Sequence, residues 1–391
     1  MVSGECCCPR SIKGITGVQH ARGIRWLAIL SCAATACLDP LPDAASGPTS
    51  ARVDIVPKAA DLQIGDSFQF QLRVTSYGPA LTSDNPRWTL SDTTIAQIDT
   101  TTGRVVGKRT GSATVSASAA GASATAQLVV SPAILVGAGD IASCTSSGDE
   151  ATAALLDAVS GTVFTAGDNA YDSGTYDQYS NCYDPSWGRH RARTRPSPGN
   201  HEYLTPGATG YFQYFGPSAG DPSKGYYSYD LGSWHIVAIN SNVDVRPGSK
   251  QEQWLRADLA AHPAHCTLAY WHYPRFSSGY EGNHLEMQAI WQALYDAGAE
   301  VVISGHDHDY ERFAPQTPSG APDPVGGIRE FVVGTGGKSL LAFHSTPPNS
   351  EVRDNSTFGV LLLRLYDDRY EWEFMPTHVG GFTDAGGDTC H

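Results

Sequence analysis

Hydrophobic residues fall into two textures along this chain. From Arg52 to Val130 they alternate with polar ones: Phe68, Phe70, Leu72 and Val74 in one run, Ala113, Val115 and Ala117 in a second, Ala126, Leu128 and Val130 in a third. A period of two buries one face of a strand, and the Gly, Asp, Asn and Pro residues between the runs mark turns. Several such strands in about 80 residues predict a small all-β sandwich. From Ala133 onward the apolar runs are short and continuous, at 133–138, 162–166, 235–240, 266–271, 300–304 and 331–333. Such runs suit strands buried on both faces, and the stretches 149–159, 252–261 and 285–297 between them suit helices, so this part reads as α/β. Two late runs, 359–366 and 370–375, flank Asp367-Asp368 and predict an antiparallel hairpin, making the sheet mixed or doubled.

The N-terminus has neither texture. Arg22 and Arg25 precede the apolar stretch Trp26 to Leu30, followed by Ala33, Ala34, Thr35 and Ala36, so residues 1–37 read as an export signal. Cys32 after Ile29-Leu30-Ser31, and Cys37 after Ala34-Thr35-Ala36, resemble bacterial lipoprotein cleavage sites, with simple secretion as the alternative. The expected location is therefore periplasmic, extracellular or lipid-anchored at the cell envelope. Residues 38–50, rich in Pro, Ala, Ser and Gly, read as a linker. The expected division is signal 1–37, linker 38–50, sandwich 51–131 and α/β domain 132–391.

Charge narrows the partners. The formal net charge is −14, and removing residues 1–36 strips four cations against one anion, so the remainder is more acidic still. Nucleic acids and anionic lipid surfaces reward clustered cations, so a nucleic-acid partner is not expected. Beyond the signal Cys144, Cys182, Cys266 and Cys390 remain, an even number suited to two disulfides in an oxidising compartment. Of three pairings, Cys144 with Cys182 is favoured because both follow loops bearing candidate ligands, and Cys266 with Cys390 because it ties the C-terminus to a core strand. Free thiols are the alternative.

The chemistry lies in ordered short motifs. Gly139-Asp140 follows the first α/β strand, Gly167-Asp168 with Tyr171 the second, and Gly199-Asn200-His201-Glu202 an Arg-Pro-rich approach. Trp271-His272 ends the fourth segment, and Gly305-His306-Asp307-His308 the fifth. Open α/β sheets bind ligands beyond the C-terminal ends of their strands, so these motifs converge in space. Asp140, Asp168, Tyr171, Asn200, His272, His306 and His308 offer seven oxygen and nitrogen donors suited to two metal ions.

These motifs resemble the calcineurin-like metallophosphoesterases, and within them the purple acid phosphatases, over roughly residues 133–376. The segment before them resembles the bacterial immunoglobulin-like group 2 domain, through Trp88-Thr89-Leu90-Ser91-Asp92, 95–99, Gly103-Arg104-Val105 and 111–115. The first resemblance implies an α-β-β-α sandwich with mixed sheets, and a bridging carboxylate at Asp168. It assigns Asp140, Tyr171 and His308 to a first metal, and Asn200, His272 and His306 to a second. Many relatives carry histidine two residues after the first aspartate, where this chain has Ala142; Tyr171 is available to fill that gap. Iron(III) in the first site with zinc, manganese or iron(II) in the second is the implied pair, because a phenol with a pKa of about 10 loses its proton more readily to a trivalent ion.

The expected activity is hydrolysis of small phosphate monoesters by a metal-bound hydroxide, with His201 stabilising the phosphoryl group or protonating the leaving oxygen. Alternatives are a phosphodiesterase of the same chemistry, or a cell-surface binding protein with a vestigial metal domain. The loop Ser277 to His284 resembles one that supplies a second substrate-facing histidine in plant-type enzymes, making His284 a catalytic candidate and Tyr280 a substrate-binding one. Arg275 and Arg312 could neutralise phosphate, although a salt bridge is the commoner role. Asp309 and Glu311 are expected to orient ligand imidazoles or Arg312. His190, His235, His262, His265, His344, His378 and His391 match no motif and read as surface or core residues. Gly334 to Ser339 lacks phosphate-loop spacing and reads as a turn near the site mouth. The sandwich, free of Cys and His, is expected to be a spacer, or else to meet a surface partner.

Overall fold

Alternation in the first texture produces two-faced strands, as expected. The computed structural model describes residues 50–77 and 85–391; the signal, its cysteines and nearly all of the linker lie outside them. The strand Gly111–Ala119 pairs antiparallel with Ala122–Ser131, in a four-stranded sheet with Ala59–Gln63 and Arg87–Leu90. Facing elements include Ser67–Gln69 and Gln71–Tyr77, which pair with different partners on either side of Phe70. Trp88, Phe70, Val115 and Leu128 fill the core, whereas Val74, at the end of its run, is half exposed.

Continuous apolar runs give the second region its two mixed sheets. One is six-stranded, in the order Thr194–Ser197, Thr162–Ala166, Ala133–Ala138, Gly359–Leu365, Arg369–Pro376 and Ala385–Thr389, parallel over the first three and antiparallel beyond. The other is seven-stranded, its middle formed by the parallel strands Trp234–Ala238, Cys266–Tyr270, Val301–Ser304 and Arg329–Val333. Successive side chains in a strand point to opposite faces. Ile236, Leu268 and Ile303 accordingly join Leu135, Phe164 and Leu361 between the sheets, while Val237, Ala269 and Val302 meet Leu255, Ile290 and Leu294 of the outer helices Lys250–Ala261 and Gln288–Asp296. The result is the expected mixed α/β architecture with both sheets covered.

Some elements had no clear sequence signal. The strands Tyr227–Leu231, Tyr310–Phe313, Ser350–Asp354 and Ala385–Thr389 lie at or near sheet edges, where burial is incomplete or composition polar. Cys144 is bonded to Cys182, and Cys266 to Cys390, so the C-terminal strand is tied to a central one. The sandwich runs almost directly into the α/β region, since only Pro132 separates Ala122–Ser131 from Ala133–Ala138. Ile64 also lies against Gly232 and Arg109 pairs with Asp367 at 2.6 Å.

Candidate metal centre

Five strand ends deliver the seven donors to one place. Asp140 follows Ala133–Ala138, Asp168 and Tyr171 follow Thr162–Ala166, and Asn200 opens the helix Asn200–Leu204 beyond Thr194–Ser197. His272 follows Cys266–Tyr270; His306 and His308 follow Val301–Ser304. The turns are forced. Asp140, Asp168 and His306 have φ of 61°, 49° and 72°, a left-handed conformation costly for residues with a Cβ and characteristic of functional sites. Glycines permit the close approach: a Cβ on Gly199 would overlap the Asp168 carboxylate, and one on Gly167 would meet the His272 ring.

The donors form two knots. In the first, Tyr171 Oη lies 2.7 Å from Asp140 Oδ1 and 3.2 Å from His308 Nε2, which is 3.3 Å from the same Asp140 oxygen. In the second, His272 Nε2 lies 2.9 Å from Asn200 Oδ1 and 3.1 Å from His306 Nδ1. Asp168 stands between them. Its Oδ1 accepts the His201 N–H at 2.9 Å, leaving Oδ2 to face His272 Nε2 at 3.4 Å. The two aspartates and His272 bring donor atoms within 4.8 Å of one another.

Neighbouring groups fix the donors. His272 Nδ1 donates to the Ala166 carbonyl at 2.9 Å and His308 Nδ1 meets Ser339 Oγ at 2.8 Å, so each ring turns Nε2 inward. Asp140 Oδ2 accepts the His306 N–H at 2.8 Å, which reserves Oδ1 for the site. Buried Glu202 accepts the N–H groups of Gly199, Asp168, Asn169 and Ala170, and the Tyr179 hydroxyl, and so pins two ligand loops together.

These donors fit cations. With its Nδ1–H committed to Ala166, neutral His272 points a lone pair at an amide oxygen and a second imidazole; such a cluster of acceptors is reconciled by a metal ion. Without one, protons must be held. Burial alone would lower the His272 pKa, but the charge of Asp168 outweighs it and brings the group up to about 9. Burial, followed by Asp140 and Asp168, pushes the Tyr171 phenol well above its ordinary value, so a strong Lewis acid is needed to ionise it. Burial and the neighbouring His272 and His284 drive His306 the opposite way, keeping its ring neutral and available as a ligand.

Other predicted site residues are placed variously. His201 lies 4.5 Å from the Tyr171 ring, tilted by 55° to it, and donates Nδ1–H to the Asp172 carbonyl at 2.6 Å, turning Nε2 toward Asp168 at 3.8 Å. His284 stacks on Tyr273 at 4.5 Å and meets His306 at 5.0 Å; its Nδ1 lies 2.8 Å from Glu286, and its buried Nε2 has no protein partner. Tyr280 is two-thirds exposed beside His344, outside the donor group. Arg275 is a correction: it is 4% exposed, bonded to the Pro318 carbonyl and laid over Phe276, so burial removes it from substrate. Glu311 is another, since it accepts from Ser278 and Ser350 instead of orienting an imidazole; Asp307 likewise anchors Ser277, Glu281 and Gly282. Asp309 is fully buried with neither carboxylate oxygen hydrogen-bonded, and orients nothing. Arg312 pairs with Asp384 and Glu351, the structural role.

Sequence reasoning missed several contributors. The Gly334–Ser339 turn supplies more than a rim: besides Ser339, it places Lys338 Nζ 2.8 Å from Asp172 and 4.7 Å from the Tyr171 ring centroid. Glu202 could have been found, because a Glu three residues into a helix is a capping signal. Clefts beside the two outer helices contain none of the seven donors; the convergence of ligands is what marks this site.

Fold and donors together define a class. Residues 135–310 match the calcineurin-like phosphoesterase family and residues 50–130 the bacterial Ig-like domain of group 2, so the chain carries a calcineurin-like phosphoesterase domain behind an Ig-like one. Among curated relatives, purple acid phosphatase 22 of Arabidopsis thaliana is 36% identical over 160 residues, 38% of this chain and 36% of that one. The chain thus spans about a third of that relative's length. Among solved structures, the purple acid phosphatase PPD1 of yellow lupin superposes with a TM-score of 0.54 at 16% identity, over 87% of this chain and 69% of that one. GAP50, the anchor in the inner membrane complex of Plasmodium, gives 0.50 at 14% identity over 65% and 88%. Both structural likenesses concern the fold.

Proposed function

We propose that this protein is an exported di-metal phosphatase that hydrolyses phosphate monoesters. The reading rests above all on the two donor knots sharing Asp168, with Asp140, Tyr171 and His308 on one side and Asn200, His272 and His306 on the other. Phenol and carboxylate donors in the first knot favour iron(III); two imidazoles and an amide in the second favour zinc, manganese or iron(II). Two such cations would neutralise phosphate and lower the pKa of water for attack on phosphorus.

The chain's own residues do the rest. His201 Nε2 faces the site while Nδ1–H is held by the Asp172 carbonyl, so the ring, when it carries a second proton at Nε2, can pass that proton to the departing ester oxygen and is left as the neutral imidazole. His284 Nε2, buried and without a protein partner, is free to bond a substrate oxygen. Lys338 adds positive charge beside Tyr171.

Export rests on the composition of residues 1–37, with lipid anchoring through Cys32 or Cys37 as its variant, and two disulfides are in keeping with it. Residues 51–131 serve as a spacer or meet a surface partner, and residues 132–391 form the catalytic unit. A second reading, a binding protein with a vestigial site, draws on the fold likeness to an anchor protein; retention of all seven donors speaks against it. Rates on 4-nitrophenyl phosphate and its bis-ester separate the cases. Faster release from the monoester supports the proposal, preference for the bis-ester moves it to diesters, and inertness of metal-loaded protein toward both rejects it.

A further inference from the structure

A second cluster of ligand-type side chains lies near one edge of the seven-stranded sheet, at the strand ends opposite those that carry the seven donors. His235 belongs to Trp234–Ala238, whose parallel neighbour Cys266–Tyr270 carries His272 beyond its far end; His235 sits near the start of its strand, opposite Thr267. It is 1% exposed and both ring nitrogens meet carboxylates, Nδ1 at 3.0 Å from Asp230 Oδ1 and Nε2 at 2.9 Å from Asp258 Oδ2. Asp258 lies in the last turn of Lys250–Ala261, and His262 caps that helix, its Nδ1 3.3 Å from Asp258 Oδ1 and 3.0 Å from the Asp258 carbonyl. Ser228 Oγ also donates to Asp258, at 2.9 Å. The two imidazoles stack at 5.0 Å and 13°, and one donor atom from each of His235, Asp258 and His262 falls within a 4.8 Å group.

We infer that His235, Asp258 and His262 form a third cation site, for zinc or a similar borderline divalent ion, that staples the sheet edge to the helix end. A neutral His235 that donates Nδ1–H to Asp230 turns the Nε2 lone pair onto a carboxylate, acceptor against acceptor. A cation between them resolves the conflict, and Asp230 then acts as the carboxylate behind a metal-bound histidine, which fixes the tautomer and raises the basicity of the ligand. Two imidazoles and a carboxylate are a zinc donor set, with the remaining position left for water. His262 is half exposed on its side chain, which gives the ion a path from solvent. Position favours it as well: the helix has no basic residue in its last turn, so its negative C-terminal end lacks a compensating charge there. His235, Asp258, His262 and Asp230 all lie outside the sequence motifs of the catalytic centre, and placement at the opposite strand ends makes the site structural.

Metal counting on full-length protein tests the inference. After incubation with zinc and removal of excess, the parent is expected to hold one more ion per chain than His262→Ala, with equal hydrolysis of an aryl phosphate by both. Zinc should raise the melting temperature of the parent by several degrees more than that of His262→Ala. In an Asp168→Ala background, which lacks the central bridging ligand, one zinc should remain and disappear in the double variant with His262→Ala. Failure of the phosphatase reading would leave that difference of one ion intact. Equal metal content and equal zinc-dependent stabilisation with and without His262 would overturn the third site and leave His235 as a buried ring hydrogen-bonded to Asp230 and Asp258.

Discussion

The two regions of this molecule are built on opposite principles. Among the described residues of the sandwich no buried side chain is polar or charged, and the core is Trp88, Phe70, Ile55, Val105 and their apolar neighbours. The α/β region buries Asp140, Asp168, Glu202, Asp307, Asp309, Glu311, Glu330, Arg275 and Arg329. It also places three of seven donors in left-handed backbone. Buried charge and strained backbone cost free energy, and such features persist where surrounding structure and function hold them. The sandwich carries neither cost in its core, while the second region gathers both around its donors.

Substitutions should widen or close that contrast. Asp168→Ala removes the shared ligand and should cut phosphate release at least about 10³-fold with loss of both central metals; a metal assay showing two retained ions would erase the distinction. His201→Ala should cost about 10² in kcat while both metals stay. Burial raises the Glu330 carboxyl from its ordinary 4.5 to about 8, against the opposing N–H bonds of Arg275 and Phe276. Because the folded form holds this proton more tightly than the unfolded one, the stabilisation is complete below pH 4.5 and is lost as pH rises through about 8. Thermal melts should therefore show stability falling across that window, by on the order of 5 kcal/mol from this group, and Glu330→Gln should flatten the slope. The smallest effect belongs to the sandwich. Arg109→Ala breaks a pair whose arginine is largely exposed and should change stability by less than about 1 kcal/mol, with hydrolysis unaltered. A marked loss of activity would mean that the sandwich shapes the site.

Legibility in the sequence divided along similar lines. Period-two runs and continuous apolar runs declared the two folds, because each pattern reports which strand faces are buried. The donors were legible because each motif is local, a few residues past a strand end, and topology brings those ends together. Tyr171 stood out through Ala142, a small residue where relatives carry a ligand; in the structure Ala142 is fully buried and its carbonyl accepts the Tyr171 N–H at 2.8 Å. What escaped was whatever depends on packing between distant segments. Arg275 looked like a phosphate-facing cation until folding turned it into the core beside Glu330. Glu311 was read as a partner of the ligand imidazoles or of Arg312, yet together with Asp307 it anchors the loop that carries His284. His235, Asp258 and His262 meet only because a helix end docks on a sheet edge, and no spacing rule announces that.

The central claim is that the seven donors hold two unlike metals, one of them bound by a phenolate. Metal analysis of the purified protein, with visible spectra of the parent and Tyr171→Phe, tests it most directly. The account predicts two ions at the centre, iron among them, and a visible charge-transfer band in the parent that vanishes in the variant. An active, colourless protein without iron, or a band that survives loss of the Tyr171 hydroxyl, would contradict it.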